Sequence, residues 1–362
     1  MTHFKQRILS RTLLLPLFLF FLLAPSPAAG ARISVLFLGD LHSQLLPVSL
    51  KTNKTTVFFG GLVHGAGLLA KEKAAEPDSL ILQGGDAVSG ITWLHFSGEP
   101  EFSALAAAGV QAMLLGNHEF NYGPEHLKRG LSFSSIPVLS SNLTFDDWEL
   151  AERVSRHVIL KSGDTSVGVF GLASPNLSAQ ASPGPRVHID RNLEDVSVKM
   201  IRELREKGAE AIIALSRLTR EENANLASSL EGVHAILGGS SNEETPNALF
   251  VQGPNGWETL LAESGAYGAF IGKLALTISE GRTDREKTSW KLLRVTPQSG
   301  RHPEVERIAS SFENRLNEAL ISTVGIFENY VDGRSSTVRG GKAPSETLSA
   351  THSGGASKPT SE

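Results

Sequence analysis

Cysteine is absent from all 362 residues of the chain. This absence excludes a disulfide framework, a thiolate metal site and lipid attachment through cysteine. Aromatic residues are also sparse, at 7% of the sequence. Because hydrophobic residues still reach 40%, the chain can bury a substantial core, and its stability must come from packing.

The chain also lacks an excess of basic residues. Its 34 Lys and Arg stand against 38 Asp and Glu, a formal net charge of -4. The first 31 residues contain three basic and no acidic side chains, so the remainder has 31 basic against 38 acidic residues, a net charge of -7. This balance argues against a nucleic acid polymer as a partner.

Only one long apolar run occurs, and it lies at the N-terminus. Lys5, Arg7 and Arg11 precede the run Leu13 to Ala24, and a stretch of small residues follows it. This order predicts a secretory signal peptide over residues 1–31, and therefore an exported, periplasmic or extracellular protein. A membrane-spanning helix needs about 20 apolar residues. We therefore expect no stable membrane anchor, and an uncleaved signal anchor is the alternative.

Short β-branched or aliphatic runs alternate with helical patterns through most of the chain. This alternation predicts an α/β layered domain over residues 32–298. The predicted strands are Ile33 to Leu38, Leu80 to Gln83, Ala112 to Leu115, Val167 to Leu172, Ala211 to Leu215 and Ala235 to Leu237. The predicted helices are Gly61 to Ala75, Glu101 to Ala108, Leu193 to Lys207 and Glu221 to Leu230.

The C-terminal third has a different character. Ala248 to Ile278 alternates strand patterns with glycine-rich turns, which predicts a closing β-meander. A helical linker is predicted over residues 299–334, because Val305 to Leu320 places its large apolar side chains on one face. In residues 335–362, 17 of the 28 residues are Ser, Thr, Gly or Pro, which predicts a disordered tail.

Three predicted strands end in unusual polar residues. Asp40 and His42 follow the first strand, Asp86 the second, and Asn117 and His118 the third. Because the carboxyl ends of strands in an α/β sheet face one crevice, these side chains can converge there. Carboxylate, amide and imidazole ligands together suit a divalent metal ion. Taken singly, each residue has an alternative interpretation as a turn or helix-capping residue.

The stretches around these residues read GDLH, GGD and GNHEFNYG. They resemble those of the calcineurin-type metallophosphoesterases, and in particular the exported 5′-nucleotidase and 2′,3′-cyclic-nucleotide phosphodiesterase family. The similarity extends from about Arg32 to Leu293. It implies a four-layer α-β-β-α sandwich of two mixed sheets. It also implies that the protein hydrolyses a small phosphoester, with Mn, Zn, Fe or Mg ions as cofactors.

The resemblance also implies roles for individual residues. Asp40 and His42 would hold one ion, Asp86 would bridge two ions, and Asn117 would bind the second. A water-derived nucleophile between the ions would attack phosphorus.

His118 would be the catalytic histidine that stabilises the developing charge. Asn121 stands where most relatives have an Asp that orients this histidine. The Asn-Tyr-Gly version resembles the cyclic-phosphodiesterase members.

Three further histidine ligands of the family are missing. Arg217 stands where one ligand of the second ion belongs, and Ser240 and Asn242 replace the other two. We therefore expect at most one tightly bound ion, with Asn242 as an additional weak ligand. Arg217 either replaces the lost cation, neutralising Asp86 or holding a phosphate, or points to solvent.

Relatives also carry a C-terminal domain that stacks the nucleobase, and the predicted tail stands in its place, so selectivity for nucleotides is not implied. Two hypotheses follow from these departures. The first is a weakened metal-dependent hydrolase of phosphoesters. The second is a catalytically inactive homologue that binds phosphoesters or acts as a scaffold.

Overall fold

The computed structural model describes residues 30–51, 55–238, 240 and 242–321. The predicted signal peptide, apart from its last two residues, and the predicted tail lie outside these ranges. The chain divides into two compact units, residues 1–306 and 307–362, and the described part of the second unit is the C-terminal part of the last helix. None of the helices in the described ranges is both long and apolar enough to cross a membrane.

The described residues form eighteen strands and nine α-helices. The strands are β1 Ala31–Leu38, β2 Val48–Lys51, β3 Thr56–Phe59, β4 Leu80–Gln83, β5 Ala112–Leu114, β6 Val138–Leu139, β7 Leu143–Phe145, β8 Val154–Ser155, β9 His157–Ser162, β10 Thr165–Leu172, β11 Val187–Ile189, β12 Ala211–Ser216, β13 Ala235–Gly238, β14 Leu249–Gln252, β15 Glu258–Ala262, β16 Phe270–Ser279, β17 Arg282–Thr283 and β18 Ser289–Arg294. The helices are α1 Leu62–Ala75, α2 Gly90–Phe96, α3 Glu99–Ala107, α4 Pro124–Leu131, α5 Trp148–Arg153, α6 Leu177–Gln180, α7 Leu193–Glu206, α8 Arg220–Ser229 and α9 Pro303–Ile321.

Two mixed sheets form the centre of the first unit. The first sheet has eight strands, in the order β17-β16-β1-β4-β5-β6-β8, with β18 also paired to β16. The second has six, in the order β14-β15-β13-β12-β10-β9. In the first sheet β1, β4, β5 and β6 run parallel, and in the second β10, β12, β13 and β15 do. The central strands of each sheet therefore end at a common edge.

The side chains of the central strands alternate between two cores. In β12, Ile213 and Leu215 belong to a core shared with the first sheet, whereas Ile212 and Ala214 face the core beneath α7 and α8. This period of two is what a strand buried on both faces requires. Helix α1 covers the outer face of the first sheet at β16. The result is helix, sheet, sheet, helix, as predicted.

All six predicted strands and all four predicted helices of the α/β part are present, with bounds that differ by at most two residues. The predicted β-meander over Ala248 to Ile278 is wrong. Strands β14 and β15 do form an antiparallel pair in the second sheet, but β16 crosses to the first sheet and pairs with β1. The crossing segment turns at Gly265 and Gly268, which have positive φ angles of 74° and 63°.

Candidate active site

The first sheet delivers five polar side chains to one edge. Asp40 and His42 follow β1, Asp86 follows β4, and Asn117 and His118 follow β5. The loops are tied by backbone hydrogen bonds, because the amide of His42 donates to the Asp86 carbonyl at 2.9 Å. The amide of His118 donates to Asp86 Oδ1 at 3.0 Å. The predicted convergence of these residues is therefore present in the structure.

The second sheet delivers Arg217 to the same edge. Arg217 directly follows β12, and its amide donates to the Leu172 carbonyl of the neighbouring strand at 2.9 Å. Its guanidinium then reaches the first sheet, where Nη1 donates to Asp40 Oδ1 and Nη2 donates to Asp86 Oδ2. Nη2 also lies 3.3 Å from Asn117 Oδ1. Since only 3% of the residue is exposed, the alternative that Arg217 points to solvent is wrong.

Asn242 and Ser240 complete the crevice from the loop after β13. Asn242 Oδ1 lies 3.0 Å from His42 Nε2. Ser240 lines the same open cavity, together with Gln180 of the short helix α6. All eight residues that the sequence predicted for this site therefore lie in or beside one crevice, although they come from five different loops.

Burial has the largest effect on the Asp40 carboxyl group. It raises the pKa of Asp40 to about 7, and Arg217 opposes this shift while Asp86 adds to it. Burial lowers the pKa of Arg217, but the charges of Asp86 and Asp40 outweigh it, so this pKa is raised. The guanidinium is therefore a permanent cation.

The surroundings of His118 favour its neutral imidazole form. Burial lowers its pKa, against the opposing effect of the Asp86 carboxylate. The amide nitrogen of Asn121 lies 2.9 Å from His118 Nδ1. With this nitrogen as the donor, Nδ1 is the acceptor and Nε2 carries the proton. Asn121 thus orients His118 so that its Nε2–H can donate a hydrogen bond to a bound substrate.

The described residues fit one divalent ion. Asp40 Oδ2 is buried and accepts no hydrogen bond from any described residue. It lies 3.9 Å from His42 Nε2, which in turn faces Asn242 Oδ1. One ligand atom each from His42, Asp86 and His118 also fall within 4.8 Å of one another. An orphaned carboxylate oxygen beside an imidazole and an amide oxygen is a ligand set that divalent metals accept.

A second ion does not fit. The two residues that we expect to bind it, Asp86 and Asn117, both face Arg217 Nη2. A protonated guanidinium already lies between the carboxylates, and it would repel a second dication at that place. The expectation of at most one tight ion is therefore consistent with the described geometry, while its occupancy stays a prediction.

Sequence reasoning missed three residues around the crevice. Glu119 is fully buried and accepts hydrogen bonds from the amides of Ala87 and Gly116, so it ties the second and third loops together. The Tyr267 ring lies 5.4 Å from that of His42. Glu119 stood inside the GNHEF stretch, where its sequence position could have suggested this role. Gln180 and Tyr267 carried no such signal.

Three other histidines lie elsewhere. His64 Nδ1 bonds the Gly300 carbonyl, His234 is buried beside Ile212, and His95 is exposed on α2. None of them is a ligand candidate at this crevice.

A family model described as calcineurin-like phosphoesterase matches residues 33–243, which include every one of the strand ends above. This chain belongs to the calcineurin-like phosphoesterase family. Members of the family hydrolyse phosphoesters with divalent metal ions. In this chain the loops of the first sheet supply the residues that the resemblance led us to expect, whereas Arg217, Ser240 and Asn242 of the second sheet depart from that expectation.

Individual relatives agree with this assignment. The NAD 5′-nucleotidase of Haemophilus influenzae is 28% identical over 277 residues, covering 71% of this chain and 46% of the relative. The trifunctional nucleotide phosphoesterase protein YfkN of Bacillus subtilis is 25% identical over 297 residues, covering 72% of this chain and 20% of the relative. The chain thus spans between a fifth and about half of these relatives.

Solved structures agree on the fold. The 5′-nucleotidase precursor of Thermus thermophilus superposes with a TM-score of 0.74 at 24% identity, covering 85% of this chain and 64% of that one. The NAD nucleotidase of Haemophilus influenzae gives a TM-score of 0.72 at 22% identity, covering 84% of this chain and 63% of that one.

Proposed function

We propose that this chain hydrolyses small phosphoesters with one divalent ion, held by Asp40, His42 and Asn242. The observation that carries the proposal is the buried Asp40 Oδ2, which has no hydrogen-bond partner among the described residues and lies beside His42 Nε2. A buried polar atom without a partner is costly, and a metal ligand is the role that removes the cost here. A bound ion would act as a Lewis acid on a phosphoryl oxygen.

The side chains around this position would divide the remaining work. Water would attack phosphorus, and the leaving oxygen would take up the proton that the water releases. The Nε2–H of His118 would donate a hydrogen bond to a phosphoryl oxygen and stabilise its developing charge. Asn121 would hold His118 in that tautomer through the contact at Nδ1. The guanidinium of Arg217 would leave the carboxylates of Asp40 and Asp86 partly neutralised, so that an anionic substrate can approach.

Nucleotides are the first substrates to test, because two of the relatives carry nucleotidase or nucleotide phosphoesterase names. Purified protein with added Mn²⁺ is assayed on p-nitrophenyl phosphate, bis-p-nitrophenyl phosphate, a nucleoside 5′-monophosphate and a 2′,3′-cyclic nucleotide. An Asp86→Ala, His118→Ala double variant is the control. We expect turnover of at least one substrate well above this control.

Metal binding is measured on the same preparation. Titration calorimetry with Mn²⁺ should give saturable binding to the parent and clearly weaker binding to His42→Ala. The surface variant His188→Ala should match the parent, since His188 is 58% exposed. Rates equal to the double variant, together with no Mn²⁺ binding, would contradict the proposal.

A non-catalytic phosphoester-binding protein is the second candidate. The observation that favours it is the position of Arg217, which takes both carboxylates that a dinuclear centre would use. Binding of inorganic phosphate without turnover would favour this candidate.

We also propose that the protein is exported, on the basis of the basic and apolar order of residues 1–31. The test is the N-terminus of the protein recovered from the secreted or periplasmic fraction. A mature N-terminus near Ala31 is expected, and full-length protein confined to the cytoplasm would contradict export.

A further inference from the structure

We infer that Arg217 is a built-in cation that occupies one of two cation positions in the crevice, so that the centre takes no more than one exchangeable metal ion. The inference deepens the proposed function, because it defines the composition of the same site. Its readouts are ion stoichiometry and thermal stability, so it is tested even if the protein turns out to have no turnover.

The first step is the fit of the guanidinium between the two carboxylates. Nη1 donates to Asp40 and Nη2 to Asp86, so one planar fork joins the strand ends of β1 and β4. Asn117 Oδ1 faces Nη2 as well, at 3.3 Å. Arginine is suited to this task, since its donors are fixed in one plane and it keeps its charge when buried.

The second step is that the surrounding backbone leaves room for this side chain. Gly85 has a φ angle of 93°, and a Cβ there would lie 3.0 Å from Arg217 Cδ. A Cβ at Gly116 would lie 2.2 Å from Asp86 Oδ1. A side chain at either position would displace the ion pair. The absence of a side chain at these two glycines therefore leaves the space that the ion pair of Arg217 occupies.

The third step is the charge of the cluster. Asp40 and Asp86 carry two negative charges when ionised, and Arg217 cancels one of them. One divalent ion would then make the cluster positive, which suits an anionic substrate. A second ion would add two further charges next to a guanidinium in a poorly solvated place, where repulsion is least screened.

The fourth step is the asymmetry of Asp40. Its Oδ1 accepts from Arg217, whereas its Oδ2 accepts no hydrogen bond from the described residues and faces His42. One oxygen is thus used by the built-in cation, and the other is left for an exchangeable one. Asn242 lies on this free side, through its contact with His42 Nε2.

Ion counting is the first experiment. The parent, a Ser240→His variant and an Arg217→His, Ser240→His double variant are dialysed against Mn²⁺, and bound metal is measured by mass spectrometry. We expect no more than one ion per chain in the parent and in Ser240→His, and one ion more in the double variant. Two ions in the parent, or no gain in a folded double variant, would overturn the inference.

The counts also separate the two proposals. A parent without metal and a double variant with one ion would refute the one-ion hydrolase and support the built-in cation. A parent that binds one ion but turns over no substrate would refute the proposed hydrolysis and leave the built-in cation supported.

Thermal unfolding is the second experiment. In EDTA, Arg217→Gln should melt about 10 °C below the parent, because it leaves two buried carboxylates without their cation. Mn²⁺ should raise the melting temperature of Arg217→Gln by more than that of the parent. Arg156→Gln is the matched control, since Arg156 makes a half-exposed ion pair with Glu203 and should shift by less than about 2 °C.

If Arg217→Gln fails to fold, the Arg217→Lys variant is used to test the inference. Lysine keeps the charge but loses the planar fork, so this variant should fold and bind no more ions than the parent. An Arg217→Gln variant as stable as the parent in EDTA, or an equal Mn²⁺ effect on both, would overturn the inference.

Discussion

The two sheets meet at one crevice but contribute opposite chemistry to it. The loops of the first sheet supply carboxylates, an amide and two imidazoles, as the family pattern requires. The loops of the second sheet supply Arg217, Ser240 and Asn242, at the places where the resemblance leads us to expect histidines. The backbone is the same kind of strand end in both sheets, since Arg217 still pairs with Leu172 of the neighbouring strand.

The difference teaches that the end of a strand fixes the backbone position of a residue in the crevice. The chemistry of its side chain then decides whether that position can bind a cation. Histidine at position 217 would offer a lone pair to a metal, whereas arginine offers only protons. The same backbone position therefore changes from a ligand of a cation into a cation. The first sheet keeps its anionic ligands, and this change on the second sheet preserves part of the charge balance.

The substitution with the largest expected effect breaks the ion pair between the two sheets. Asp86→Ala removes one partner of the buried Arg217 and the acceptor for the His118 amide. We expect a loss of about 3 kcal/mol or more in the free energy of unfolding, and hydrolysis at background. Urea denaturation and the phosphoester assay measure this. Asp164→Ala, on an exposed loop, is the control, and a loss below about 1 kcal/mol would mean that the ion pair does not join the sheets.

The next test concerns the chemistry of the first sheet alone. His118→Ala should lower kcat by a factor of about 10² to 10⁴ while leaving the unfolding free energy nearly unchanged, because the half-buried ring acts on the substrate. Steady-state kinetics and denaturation separate the two effects. His188→Ala should change neither quantity. A drop in stability that accounts for the lost activity would assign His118 a structural role instead.

A third test examines His234, a buried histidine of the second sheet that lies away from the crevice. His234 precedes β13, at the end of the strand opposite to the crevice, and burial lowers its pKa to about 4. A lowered folded-state pKa contributes stability that is present above the unfolded value of about 6.5 and is lost as the pH falls through the folded value.

Between pH 7 and pH 4, the parent should therefore lose up to about 3 kcal/mol more free energy of unfolding than His234→Gln loses. Urea midpoints across this range measure the difference. His95→Gln, on an exposed part of α2, should retain the slope of the parent. Identical pH profiles for parent and His234→Gln would show that this ring is protonated without cost.

The smallest expected effect lies next to Arg217 on the second sheet. Thr219 caps α8 and forms a reciprocal capping box with Glu222. Thr219→Ala should lower the free energy of unfolding by about 1 kcal/mol, because it leaves the Glu222 amide without its side-chain acceptor. Thermal unfolding measures it, with Thr55→Ala as the control. No change would mean that the loop carrying Arg217 is held by the strand alone.

Sequence reasoning predicted most of the fold because the signals were local. A buried strand such as β12 is a short aliphatic run between turns, and α7 repeats Val196, Met200 and Leu204 at helical spacing. The prediction of a β-meander was wrong because the sequence of a strand does not specify which strand it pairs with. The choice of β16 to pair with β1 depends on which sheet has a free edge.

The site was predicted in part for the same reason. Asp40, His42, Asp86, Asn117 and His118 follow strands whose positions could be read locally, and a parallel sheet then brings them together. The direction of the Arg217 side chain could not be read in this way. Its partners lie 177 and 131 positions away in the sequence, and both alternatives were compatible with the sequence.

By itself, the sequence determined the strands and the family, because each of these is written in a local pattern. It also predicted that Arg217, Ser240 and Asn242 stand in place of three histidines. Only the tertiary structure decided that the Arg217 guanidinium lies between Asp40 and Asp86 and that one oxygen of Asp40 stays unpaired among the described residues. The physical reason is that a buried charge goes to wherever opposite charge and space coincide. That place exists only once the two sheets have packed.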